Sequence, residues 1–242
     1  MTTTTRSRAP QRQVTVSQSN GARSAPQPQA ATTAAHVKRP RATSDELIAY
    51  YDSKLSAAFD KGRATARPEV AEPQLWWDVI TLGVFQDIWD PPFLPGDVIR
   101  AGEPAYILSY VILNPFFPVP PTDACTVLSN FSLPFEITYQ TGDVTNWKKG
   151  PSQLNVEHDL TLVPGQCWYE DILEFTTDDL DEVMYEMNVS ARIFGCGGDY
   201  SPYFAGFARE VYDIDPDMFS PAPGMGDRPI RFMVYGGAPQ EV

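Results

Sequence analysis

In VMYEMNVSARIF, residues 183–194, the residues Val183, Tyr185, Met187, Val189, Ala191 and Ile193 alternate with the polar Glu186, Asn188, Ser190 and Arg192. Successive side chains of a β-strand point to opposite faces, so this spacing predicts a strand with one face on a core and one in water. The period of two begins at Gln74 and persists to the C-terminus, with Pro, Gly, Asn and Asp clusters between the apolar runs. It predicts strands near 75–85, 97–100, 104–113, 132–140, 155–163, 167–176, 183–194, 203–213 and 230–235. Many short strands separated by turn residues predict an all-β, antiparallel β-sandwich over residues 74–242.

Two segments precede it. TSDELIAYYDSKLSAAFDKG predicts a helix over 44–62, with Ser44 as N-cap, Asp45 and Glu46 at the positive end of the helix dipole, and Gly62 as the stop. Leu47, Tyr51, Leu55 and Phe59 recur every four residues and form one apolar stripe, expected to pack on the chain's own domain. Residues 63–73, RATARPEVAEP, are expected to be a linker. Residues 1–43 hold no aromatic side chain and are dominated by Thr, Ala, Gln, Pro and Arg. Such a segment buries too little apolar surface to offset the entropy of ordering, and disorder is expected.

The net charge of −13 hides a division. Arg6, Arg8, Arg12, Arg23, Lys38, Arg39 and Arg41 lie in the first 43 residues, where no acid occurs, while all 31 acids lie beyond them. An acidic body repels phosphate backbones, so only the basic tail is suited to nucleic acid or another anionic surface. Its charges are scattered, and such attraction is expected to be salt-sensitive. No run of about 18 apolar residues offers a membrane span. MTTTTRSRAPQRQ has no apolar stretch of the kind a secretion signal carries, so a cytoplasmic protein with reduced thiols is expected, with a virion or an organelle as the alternatives.

Three stretches carry a resemblance. IRAGEPAYILSYVILNP (99–115) leads from a turn into a long strand, LTLVPGQCWYEDILEF (160–175) breaks at Pro164-Gly165 and resumes, and YEMNVSARIF follows as a later core strand. Together, over about residues 97–215, they resemble an immunoglobulin-like sandwich of the kind found in CARDB-type bacterial modules. That resemblance implies a fold and says little about function. The long insert NPFFPVPPTDAC departs from it.

Few residues suggest chemistry. The folded part has one histidine, His158, between Glu157 and Asp159 on an alternating strand and expected to face solvent. Nucleophile elbows and phosphate-cradling glycine motifs are missing. Cys125, Cys167 and Cys196 are far apart and show no zinc spacing; Cys196, in GCGG, is expected in a hairpin loop, its thiol unactivated beside Asp199. Asp213, Asp215 and Asp217 in DIDPD are the calcium candidates, although Met218 and Gly224 stand where an EF-hand loop needs Gly and Glu. No cofactor is expected. The five tryptophans are expected in core and edge packing, and the binding candidates are Phe93, Phe116 and Phe117 on proline-stiffened loops.

The expected function is a non-enzymatic binding or assembly module whose basic arm contacts an anionic partner or neighbouring subunits. The alternatives are a virion-type coat or decoration protein whose arm touches nucleic acid, and a carboxylate-based hydrolase.

Overall fold

A computed structural model describes residues 41–65, 77–114, 118–119, 122–194, 202–214 and 229–236. In chain order the elements are α1 (Ser44–Thr65), β1 (Trp77–Phe85), β2 (Val98–Arg100), β3 (Pro104–Leu113), β4 (Pro118–Val119), β5 (Thr122–Asp123), α2 (Ala124–Asn130), β6 (Pro134–Asp143), β7 (Lys148–Lys149), β8 (Glu157–Thr161), β9 (Trp168–Thr176), β10 (Met184–Phe194), β11 (Pro202–Phe207), β12 (Arg209–Val211) and β13 (Ile230–Tyr235). One sheet has the order β12-β1-β3-β9. The other has the order β2-β13-β10-β6-β7, with β11 beside β10 and β8 beside β6. The β-sandwich expected from the alternation is what the chain forms.

Strand β10 is central to the second sheet and antiparallel to β6, β13 and β11. Its inward residues Tyr185, Met187, Val189, Ala191 and Ile193 are buried, as their spacing requires. They meet Val79, Ile107, Val111 and Leu173 of the opposing sheet in one core.

The first sheet is covered on both faces. On β3, Ala105, Ile107 and Val111 enter the core between the sheets, while Tyr106, Leu108, Tyr110 and Ile112 pack in a second core with Leu47, Tyr51, Leu55 and Phe59 of α1. PAYILSYVIL therefore reads as a continuous apolar run: both of its faces are buried. The architecture is three layers, helix on sheet on sheet. Each fully buried Leu or Phe of α1 contributes roughly 1.5–3 kcal/mol.

Several local expectations need correction. The N-cap of α1 is Thr43, whose N–H donates to Glu46 Oε2 at 2.8 Å while its Oγ1 accepts from the Glu46 N–H at 3.2 Å. This reciprocal pair outcompetes Ser44. The helix passes Gly62 and ends at Thr65. The stretch 203–213 is two strands: β11 pairs with β10, Ala208 donates to Val189 O at 2.7 Å, and β12 then crosses to run parallel to β1 in the other sheet. Inside the proline-rich insert, α2 starts at Asp123, whose Oδ1 accepts from the Thr126 N–H at 2.8 Å.

The thiols are not all reduced. Cys125 on α2 and Cys167 before β9 form a disulfide with Cα atoms 5.4 Å apart. Forty-two residues of sequence separate them, so spacing alone concealed a pair that the β8–β9 turn brings together. Cys196 lies outside the described residues.

Candidate functional site

Of the loop candidates, Phe93 is not an exposed tip. Phe93 is buried beneath α1, its ring 5.2 Å from Tyr50, and its carbonyl accepts from the Tyr51 hydroxyl at 2.6 Å. The apolar stripe of α1 needed a cover for its N-terminal half, and Phe93 supplies part of it. Phe116 and Phe117 lie outside the described residues. The tryptophans divide: Trp77 is core and Trp168 stacks on Phe59 at 4.9 Å, but Trp147, at the β6–β7 turn with φ of 56°, is 90% exposed.

Of the tail residues, Arg41 is fixed and Arg6, Arg8, Arg12, Arg23, Lys38 and Arg39 lie outside the described residues. Arg41 donates through Nη2 to the carbonyls of Gln86 and Pro104, the latter at 2.9 Å, and sits 6.0 Å over the Tyr106 ring. Ala42 donates to Ile88 O at 2.7 Å. Residues 41–43 therefore belong to the packed body. Expecting disorder up to Thr43 overlooked the backbone carbonyls at the β1 and β3 ends, which a guanidinium satisfies.

Asp213 is occupied by Lys54 of α1, whose Nζ reaches its two carboxylate oxygens at 2.5 and 2.6 Å. That pairing joins α1 to the residues that follow β12. Asp215 and Asp217 lie outside the described residues, and the described residues contain no group of three or more metal-ligating side chains.

His158 does not simply face solvent. Its Nδ1 lies 2.9 Å from both oxygens of Asp171, an inward carboxylate of β9 that is 12% exposed. The Tyr139 hydroxyl lies 2.7 Å from Asp171 Oδ2 and 3.0 Å from Ser109 Oγ, which in turn lies 3.3 Å from Thr81 Oγ1. Thr81, Ser109 and Asp171 are cross-strand neighbours on β1, β3 and β9; Tyr139 and His158 come from the opposing sheet. With Asp171 as the acceptor, Tyr139 gives its single proton there, Ser109 donates to Tyr139, and Thr81 donates to Ser109. Burial, reinforced by the Asp171 charge, drives the Tyr139 hydroxyl well above the usual phenol range. A carboxylate surrounded by donors is stable in the core, and this chain pins the two sheets at their open seam. Ser109 and Tyr139 are fully buried, so neither presents a nucleophile to solvent.

Two shallow surfaces are formed by described residues. A polar groove of about 550 Å³ runs along β6 and β8 past Gln140, Lys149, Asn155, Glu157 and Asn188. An apolar groove of about 660 Å³ lies where Val98, Met233 and Met184 form a row across β2, β13 and β10, flanked by Tyr212 and the Arg231–Glu186 ion pair. No helix among the described residues is long and apolar enough to cross a membrane.

This architecture defines a β-sandwich with a helix laid on one sheet. No family model and no curated protein matches the chain. Among solved structures it is similar to the CARDB domain of a Pyrococcus furiosus protein, crystallised in complex with di-metal ions. The TM-score is 0.29 at 10% identity, over 71% of this chain and 100% of that one.

Proposed function

We propose that the protein is a non-enzymatic binding or assembly module in which the acidic sandwich is the rigid part and residues 1–40 are the reaching part. The observation that carries this reading is the anchor at Arg41. The last basic residue before α1 is clamped to two backbone carbonyls, so the acid-free, basic segment preceding it leaves the body at one fixed point. An anionic surface or a neighbouring acidic subunit is the partner that such a segment suits. Because Cys125 and Cys167 are joined, an oxidising compartment fits this chain better than the cytosol.

Light scattering of the full chain and of residues 41–242, together with retention on an anionic surface across a salt series, tests this. The reading expects association or retention by the full chain only, weakening steeply as salt rises. A full chain that stays monomeric and is not retained at low salt would end it. Retention by nucleic acid alone, with no self-association, identifies the anionic partner as nucleic acid.

A further inference from the structure

The polar groove on the second sheet holds residues that packing does not explain. Gln140 on β6 and Asn188 on β10 are cross-strand neighbours, both exposed, and neither carboxamide makes a hydrogen bond among the described residues. Two residues along β6, Gly142 lies between Glu186 of β10 and Lys149 of β7. It does not share the positive φ of Gly102 and Gly165, and a Cβ at this position would meet nothing nearer than Lys148 O at 3.8 Å, an ordinary contact. A glycine inside a strand weakens the strand and marks a place where something approaches the backbone closely. Here the fold has no need of it, and the absent side chain opens the floor of the groove of about 550 Å³.

The lining selects a class of ligand. Its charged side chains are one base, Lys149, and one acid, Glu157, so the groove is neutral in a chain of net charge −13. A polyanion needs a basic surface, which this is not. Extended peptides add to sheet edges, whereas β6 and β10 are inner strands of this sheet. A sugar hydroxyl both donates and accepts, and so does a carboxamide, so two neighbouring carboxamides match adjacent hydroxyls of a saccharide ring.

Two residues before Lys149 stands Trp147, 90% exposed. Its turn is firmly built: the buried Asp143 accepts from the Asn146 N–H at 2.9 Å and from its Nδ2 at 2.8 Å, while Thr145 Oγ1 accepts from the Met184 N–H at 3.1 Å. The φ of 56° at Trp147 is costly for a residue other than glycine. An aromatic side chain on a braced turn loses little entropy on docking, and its ring face is an apolar platform for the C–H face of a sugar.

We propose that this face of the second sheet is a binding site for a neutral oligosaccharide. Gln140 and Asn188 bond the hydroxyls of one unit beside Gly142, and Trp147 stacks on a further unit. The site uses none of residues 1–40, so its failure leaves the anionic-partner reading standing.

Calorimetric titration of the full chain with neutral hexasaccharides of glucose, xylose, mannose, galactose and N-acetylglucosamine tests it. At least one should bind, with an affinity that is the same at low and high salt. Gln140→Ala/Asn188→Ala and, separately, Trp147→Ala should each weaken binding at least about tenfold. Gly142→Val should abolish binding while leaving the unfolding midpoint unchanged or higher, because a β-branched residue suits a strand. Failure of every hexasaccharide to bind overturns the proposal. Binding that survives both Gly142→Val and the double alanine variant overturns it too, by putting the saccharide elsewhere. Affinity that falls steeply with salt overturns the neutral class, and affinity unchanged in Trp147→Ala overturns the stacking role.

Discussion

Asp171 and its partners show how little of a buried polar site is visible in spacing. The side chain of His158 is flanked in sequence by Glu157 and Asp159, yet it bonds to a carboxylate thirteen residues away in the other sheet. Only the register Ile137↔His158 on one sheet and Ser109↔Asp171 on the other brings them together. Tyr139→Phe removes a donor from a carboxylate that water barely reaches, and should cost about 1–3 kcal/mol. A lower denaturant midpoint at unchanged slope would register that loss. Asp52 gives a pH test at the same scale. Burial raises its pKa, against hydrogen bonds from Tyr110 and Trp168 that lower it. A carboxyl whose folded pKa is raised stabilises the fold below the unfolded value, and that contribution is lost as pH rises through the folded one. Stability of the wild type relative to Asp52→Asn should therefore fall as pH climbs through the carboxylate range, and urea titrations at several pH values would show a flat difference if Asp52 were unperturbed.

At the scale of elements, the long strands were legible because alternation and burial report the same fact. The failures have separate physical causes. Strand β12 is only three residues long, and a change of sheet at Ala208 leaves no mark in a continuing apolar pattern. The helix α2 is seven residues long and announces itself only through Asp123 and Thr126, a cap signal hidden in a proline-rich stretch. Phe93 looked exposed because prolines surround it, while the helix that covers it lies forty residues earlier. The disulfide makes the insert's position testable. Closing a loop of 42 residues removes denatured-state entropy worth about 4 kcal/mol in the chain-entropy model. Unfolding with and without reductant should show a stability loss of that order, and Cys125→Ser should reproduce it without reductant. The cap of α1 belongs here too: Thr43→Ala should lower stability by about 1 kcal/mol, whereas Ser44→Ala should change it by much less.

For the molecule as a whole, the layer that the sequence placed beside the sandwich turns out to be part of it. The apolar stripe of α1 showed that the helix needed a partner, and the two-faced burial of β3 shows which sheet it was. Ile80, Leu82, Tyr106, Leu108, Tyr110 and Ile112 are buried in one cluster with Leu47, Tyr51, Leu55, Ala58 and Phe59 of α1. Uncovered, their combined surface would form a continuous apolar patch, which promotes association between copies. Removing residues 1–40 leaves the Arg41 clamp, the Thr43 cap and all of α1 in place. Removing residues 1–65 strips the outer layer, including the Lys54–Asp213 ion pair and the Tyr51 hydrogen bond to Phe93. Residues 41–242 should therefore unfold cooperatively at a temperature within a few degrees of the full chain. Residues 66–242 should aggregate or bind a hydrophobic dye. If residues 66–242 remained soluble, monomeric and dye-silent, α1 would be an accessory to a self-sufficient two-sheet core, and the three-layer description would have to give way.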